Sequence, residues 1–101
     1  MSDRSYQWEQ LSAKFKAYCR SRNVLCHICV ARGDIENAQI DYRAKRFSPN
    51  SFETDHEKPW RLYPQLRYEW GNLRASHSRC NRARRDELLT PADAVWIKPA
   101  W

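Results

Sequence analysis

Trp8, Leu11, Phe15 and Tyr18 recur at spacings of three and four through YQWEQLSAKFKAYCRSR, residues 6–22. That period puts one apolar stripe on a helix whose other faces are charged. Ser5 is placed to cap it, and Arg20 and Arg22 suit the negative end of its dipole. Cys19 lies beside the stripe and reads as a buried thiol. Beyond this helix the pattern breaks up. Residues 24–33, VLCHICVARG, read as a tight loop, and AQIDY, 38–42, alternates like a short strand. A basic connector with a turn at Pro49–Asn50 leads into SFETDH, which alternates again with Phe52 and Thr54 on one face. Two prolines within 57–71 exclude a regular helix there. That segment reads as an irregular loop with room for the second strand of a hairpin. SRCNRARRDELL, 78–89, has neither Gly nor Pro and reads as helix. Thr90-Pro91 marks the start of a short last helix, followed by a KPAW tail.

These elements have little to bury. The chain has 101 residues, 42% of them apolar, and a mean hydropathy of −0.92, which fits one small polar domain over 1–101. Five Trp, five Tyr and three Phe supply part of the core. Four Cys and three His are the candidates for a staple. No apolar run approaches the roughly 18–20 residues of a membrane span, and the N-terminus lacks the apolar segment of a secretory signal. An intracellular location without membrane contact is therefore expected, and there cysteines bind metal more readily than they form disulfides. The 18 Lys and Arg exceed the 12 Asp and Glu, giving a net charge of +6. That balance points to a polyanionic partner, with nucleic acid first.

Two short ligand spacings answer the need for a staple. Cys26-His27-Ile28-Cys29 is C-x2-C, and His77-Ser78-Arg79-Cys80 is H-x2-C. Two intervening residues let a tight turn aim both side chains at one ion, and two such pairs complete a tetrahedral Cys3His zinc site. A closed site of four protein ligands leaves no place for water, so it is structural. His27, inside the first pair, is expected to point away from the ion, toward solvent or phosphate. Between the pairs lies Thr54-Asp55-His56, a carboxylate beside an imidazole at a strand end.

The order Cys26-x2-Cys29, Asp55-His56, Asn72-Leu73, His77-x2-Cys80-Asn81 resembles the HNH endonucleases, specifically their zinc-knuckle branch, and is similar to small HNH proteins of actinobacterial phages. The resemblance covers about residues 24–86. It implies a small α+β fold: a ββα-metal core with a structural zinc knuckle, flanked here by the N-terminal helix and by a short helix and tail over 90–101. It implies that Asp55 and Asn81 hold a catalytic divalent ion, Mg²⁺ or Mn²⁺. It implies that His56 is the general base and that Asn72 ties the hairpin loop and orients that base. Glu57-Lys58-Pro59 stands where relatives often carry an apolar pair before proline, and Gly71 alone precedes Asn72 where Gly-Gly is usual. His77 and Asn81 are four apart, on one helical face, so His77 could instead serve the catalytic ion.

Basic residues crowd the same region. Arg43, Lys45 and Arg46 lie in the connector, with Arg74, Arg79, Arg82, Arg84 and Arg85 around the motif helix. They are candidates for phosphate contacts on DNA, with weak sequence preference. Trp60, Tyr63, Tyr68 and Trp70 are candidates for base stacking or loop packing. The expected activity is metal-dependent hydrolysis of DNA phosphodiesters. By resemblance alone, a role in phage DNA packaging beside a terminase is expected. The other reading is a non-catalytic zinc module that binds nucleic acid or adapts a packaging complex.

Overall fold

The computed structural model describes residues 3–84, with side chains from Tyr6 onward. The elements are α1 (Asp3–Arg22), α2 (His27–Ala31), β1 (Phe52–His56), β2 (Leu73–His77) and α3 (Ser78–Arg84). Three 3-10 turns, at Ile35–Asn37, Pro64–Leu66 and Trp70–Asn72, punctuate the connections. The result is a small α+β fold in which the two antiparallel strands and α3 form a ββα unit. The helix expected over 90–96, the tail and Arg85 lie outside the described residues. Among the described residues, no helix is long and apolar enough to cross a membrane.

Helix α1 lays its stripe on this unit. Phe15 and Cys19 are fully buried, while Trp8, Leu11 and Tyr18 pack against the core from its edge. Phe15 meets Trp70 edge-on at 5.2 Å between centroids and Phe52 at 6.3 Å. Truncating Phe15 to Ala would cost about 3–5 kcal/mol. Burial pushes the Cys19 thiol up to about 12, so it is inert. The helix starts before Tyr6, so Ser5 lies inside it rather than capping it.

Three other expectations need correction. Residues 27–31 of the first cysteine pair are helical, not loop, and Gly33 follows that turn at φ +77. Residues 38–42 form no strand. Ala38 and Ile40 are buried, but the hydrogen bonds go elsewhere: Ala38 O accepts from Cys26 N, and Asp41 N donates to Asn50 O. One isolated bridge, Asp41 to Ser51, is all the pairing present. The partner of β1 begins at Leu73, beyond the 57–71 loop, in the register Phe52↔His77, Thr54↔Ala75, His56↔Leu73.

The period of β1 divides its side chains between two neighbours. Phe52 and Thr54 face α1, where Thr54 Oγ1 and Ser12 Oγ lie 2.8 Å apart. Glu53 and Asp55 face the opposite side, against α3 and, for Asp55, α2. Strand β2 runs directly into α3, so His77 at the strand end and Cys80 in the first helical turn are brought beside α2.

Candidate active site and metal centre

The four expected zinc ligands converge. Cys26, Cys29, His77 and Cys80 are all buried, and their ligating atoms lie within 4.8 Å of one another. Cys29 Sγ is 3.8 Å from Cys80 Sγ, and His77 Nδ1 is 3.6 and 3.7 Å from those two sulfurs. A tetrahedral ion with metal–sulfur bonds of about 2.3 Å sets its sulfurs roughly 3.8 Å apart, so the cluster fits such an ion. His77 Nε2 lies 2.7 Å from Gln39 O. A carbonyl only accepts, so that nitrogen carries the proton and Nδ1 turns its lone pair to the sulfurs. Burial and the neighbouring thiols push Cys80 up to about 12 and raise Cys29. A metal binding here would displace those protons. His77 sits with the cysteines, not with Asn81, so the alternative role for it has no geometric support.

The second site is a cleft of about 420 Å³ between α1, the end of β1 and α3, lined by Trp8, Asp55, His56, Trp60, Asn81 and Arg82 among others. Asp55 is 6% exposed. Its Oδ1 accepts from the backbone N of His56 at 2.8 Å, and its Oδ2 accepts from His27 Nε2 at 2.7 Å and Arg84 NH1 at 2.9 Å. Burial opposes ionisation of this carboxyl, yet the contacts with His27 and Arg84 outweigh it and hold the group below the usual carboxylate range.

His56 is fixed differently. Its ring stacks on Trp8, with centroids 5.0 Å apart, and its Nε2 lies 2.8 Å from Arg67 O. The carbonyl again assigns the proton to Nε2, which leaves Nδ1 as the basic nitrogen. Burial holds His56 below the usual imidazole range, against the opposing pull of the Arg67 carbonyl and Asp55. The loop that supplies that carbonyl is pinned by Asn72. Its Oδ1 accepts from Lys58 N at 2.9 Å, and its Nδ2 donates to Lys58 O and Leu66 O at 3.1 and 3.3 Å. Asn81 donates through Nδ2 to Glu53 Oε1 at 3.2 Å.

The chain that folds into this arrangement, a strand-end Asp-His pair beside a ββα helix that also carries a knuckle ligand, matches a family model. That model, described as HNH endonuclease, covers residues 26–87, more than half of the chain. The chain belongs to the HNH endonuclease family. No curated protein and no solved structure matches it. Membership supports a nuclease-family function acting on nucleic acid, and the Cys/His cluster could hold a metal such as zinc.

The basic residues expected on phosphates in this HNH chain divide into two groups. Arg43, Lys45, Arg46, Arg79 and Arg82 are exposed, and Arg79 reaches Asn50 Oδ1 at 3.0 Å. Arg74 and Arg84 are not phosphate contacts in waiting. Arg84 is 3% exposed and donates to Asp55, His56 O and Glu57 O. Arg74 turns inward to Glu57 Oε2 at 2.6 Å and to the carbonyls of Gly71 and Leu73. That pairing also occupies the Glu57 carboxylate. Trp70 packs on Phe15 and Tyr18, whereas Trp60 and Tyr68 are exposed and carry Arg67 on their rings.

His27 is the site residue that sequence reasoning missed. It does point away from the cysteine cluster, but into Asp55 rather than toward solvent or phosphate, and its side chain is 16% exposed. The signal available was helical geometry: with residues 27–31 helical, His27 leaves the turn on a different side from Cys29. The contact thus joins the two centres through one imidazole.

Proposed function

We propose that this protein is a divalent-metal-dependent endonuclease that hydrolyses DNA phosphodiester bonds in the Asp55–His56–Asn81 cleft, with zinc in the Cys26–Cys29–His77–Cys80 cluster. The observation that carries the reading is the state of His56. One ring nitrogen is spent on Arg67 O, the other is free for a proton, and burial holds the ring below the usual imidazole range. A buried packing histidine would gain nothing from an open basic nitrogen at the wall of a cleft.

Asp55 and Asn81 would hold the cation. Asp55 Oδ1 keeps a lone pair beyond its one hydrogen bond, and Asn81 offers an amide oxygen. Beside them Glu53 Oε2 is buried without a hydrogen-bond partner, an orphaned carboxylate oxygen that favours positive charge nearby. Such hard oxygen donors fit Mg²⁺ or Mn²⁺. When bound, the cation would supply charge stabilisation to the scissile phosphate and the departing oxygen.

The chain's own residues do the rest. His56 Nδ1 takes a proton from the attacking water, and the water oxygen bonds to phosphorus as the bond to the 3′ oxygen breaks, that oxygen then taking a proton from solvent to become the 3′-hydroxyl. Asn72 holds the loop so that Arg67 O stays on the far nitrogen of the base. His27 and Arg84 fix the plane of the Asp55 carboxylate from outside the cleft. Exposed Arg43, Lys45, Arg46, Arg79 and Arg82 would neutralise flanking phosphates. Supercoiled plasmid incubated with zinc-loaded protein should be nicked only when Mg²⁺ or Mn²⁺ is added, leaving 5′-phosphate and 3′-hydroxyl ends. Binding without any nicking in either metal would favour the non-catalytic module instead.

A further inference from the structure

The turn at Lys45–Ser48 carries a bulky residue where its backbone favours glycine. Ser48 N donates to Lys45 O at 3.0 Å, and Phe47, at the third position, has φ +70. Turns with a left-handed third residue take glycine or asparagine there, because a Cβ crowds the backbone in that region. Phe47 gains little packing in exchange, since it is 55% exposed. The other described non-glycine residue with positive φ is Asn23, a type that tolerates it, and its amide pairs with Gln39. An exposed aromatic held in strained backbone is thus unexplained by the fold, and strain of this kind gathers where a ligand is met.

The surroundings say which ligand. The guanidinium carbons of Arg46 and Arg82 each lie 4.7 Å from the Phe47 ring centroid. Phe47 and Arg46 line a groove of about 390 Å³ that Lys16, Glu9 and Glu53 also line. Trp8 and Thr54 line both that groove and the His56 cleft, and Arg82 reaches the cleft as well. The turn is tied to α3 just downstream, where Arg79 N donates to Pro49 O and Ser78 N to Ser51 O. An aromatic face with cations beside it, anchored next to a phosphodiester cleft, has the chemistry of a nucleobase platform.

We propose that Phe47 is a stacking site for an unstacked nucleobase of the DNA strand whose phosphodiester enters the His56 cleft, an inference that rests on the nuclease reading. The base stacks on the ring or on a guanidinium lying against it, while Arg46, Arg82 and Lys16 meet the neighbouring phosphates. Intact duplex offers no bare base face without unstacking, so the site selects single-stranded, gapped or distorted DNA.

Glycine at position 47 separates this role from a structural one. A single-stranded oligonucleotide carrying 2-aminopurine is titrated with the zinc-loaded full chain in the absence of Mg²⁺. Stacking should change the probe's fluorescence with the wild-type protein and with Phe47→Trp. Phe47→Gly should lose that change and bind about tenfold more weakly, while its thermal midpoint stays equal or rises because the turn relaxes. An unchanged signal and affinity in Phe47→Gly, or a fall in its thermal midpoint, would overturn the proposal. Plasmid nicking by the wild type, run in parallel, keeps the two readings apart. Nicking with an unaltered Phe47→Gly signal leaves the nuclease and removes the platform, whereas a lost signal without any wild-type nicking does the reverse.

Discussion

The cysteine cluster and the cleft sit on the same ββα unit, yet they are finished in opposite ways. In the cluster every ligating side chain is buried and turned inward, and even the far nitrogen of His77 is spent on Gln39 O. In the cleft each key group keeps one valence open: Asp55 a lone pair, His56 its Nδ1, Asn81 its amide oxygen. A closed ligand set can only hold the fold, whereas open valences over a cleft can meet a substrate. The hydrogen bond between His27 Nε2 and Asp55 Oδ2 joins the knuckle helix to the cleft, so on the proposed reading the closed centre steadies the open one.

Breaking the closed centre should do the most damage. Zinc in such sites contributes on the order of 10–16 kcal/mol, comparable to or above the roughly 5–15 kcal/mol that stabilises a whole domain. Cys29→Ser, or strong chelation, should abolish the cooperative thermal transition seen by circular dichroism. A folded, cooperative Cys29→Ser protein would remove the structural role from the cluster.

The link between the centres comes next. His27→Ala should weaken Mn²⁺ binding at the cleft and slow nicking by about 10–100-fold. The charge-transfer spectrum of a cobalt-substituted knuckle should stay unchanged. An altered cobalt spectrum would place His27 in the knuckle itself, and intact Mn²⁺ affinity would leave it idle.

Acid sharpens the comparison further. Burial lowers His56 in the folded protein, so its neutral form persists below the ordinary value of about 6.5. The acid limb of kcat should therefore fall below pH 6.5. Its folding contribution carries the same sign: present above the unfolded value, it declines as pH drops through the folded one, because the unfolded chain takes the proton more readily. A limb above pH 6.5 would contradict a desolvated base.

The smallest effect concerns the loop. Lys58 is 1% exposed, its Nζ has no hydrogen-bond partner among the described residues, and the Tyr63 ring lies 5.6 Å from it. Lys58→Met should raise stability by about 1–2 kcal/mol in urea unfolding. Destabilisation instead would mean that the ammonium is satisfied by another group.

What was legible from residues alone was whatever short spacing encodes. Cys26 and Cys29, His77 and Cys80, and Asp55 beside His56 are local patterns, and a ligand pair or a dipeptide needs no knowledge of packing. His27 and Arg84 were not legible as partners of Asp55, because they lie 28 and 29 residues from it and meet it only once α2 and α3 close on β1. An arginine in a run of arginines reads as surface; helical phase alone sends Arg84 inward with Asn81 and leaves Arg82 outside. The apparent strand at 38–42 failed for a related reason. Alternation marks buried and exposed positions, and Ala38 and Ile40 are buried, but among the described residues no neighbouring strand stands where the ladder would form.

The most direct test of the account is plasmid nicking by His56→Ala beside the wild type, in Mg²⁺ and in Mn²⁺, with DNA affinity measured on the same preparations. Loss of a general base should lower the nicking rate by about 10²–10⁴-fold while DNA is still bound and the knuckle stays metal-loaded. Equal nicking by the two proteins would contradict the assignment of His56, and with it the claim that the open cleft is where the bond is cut.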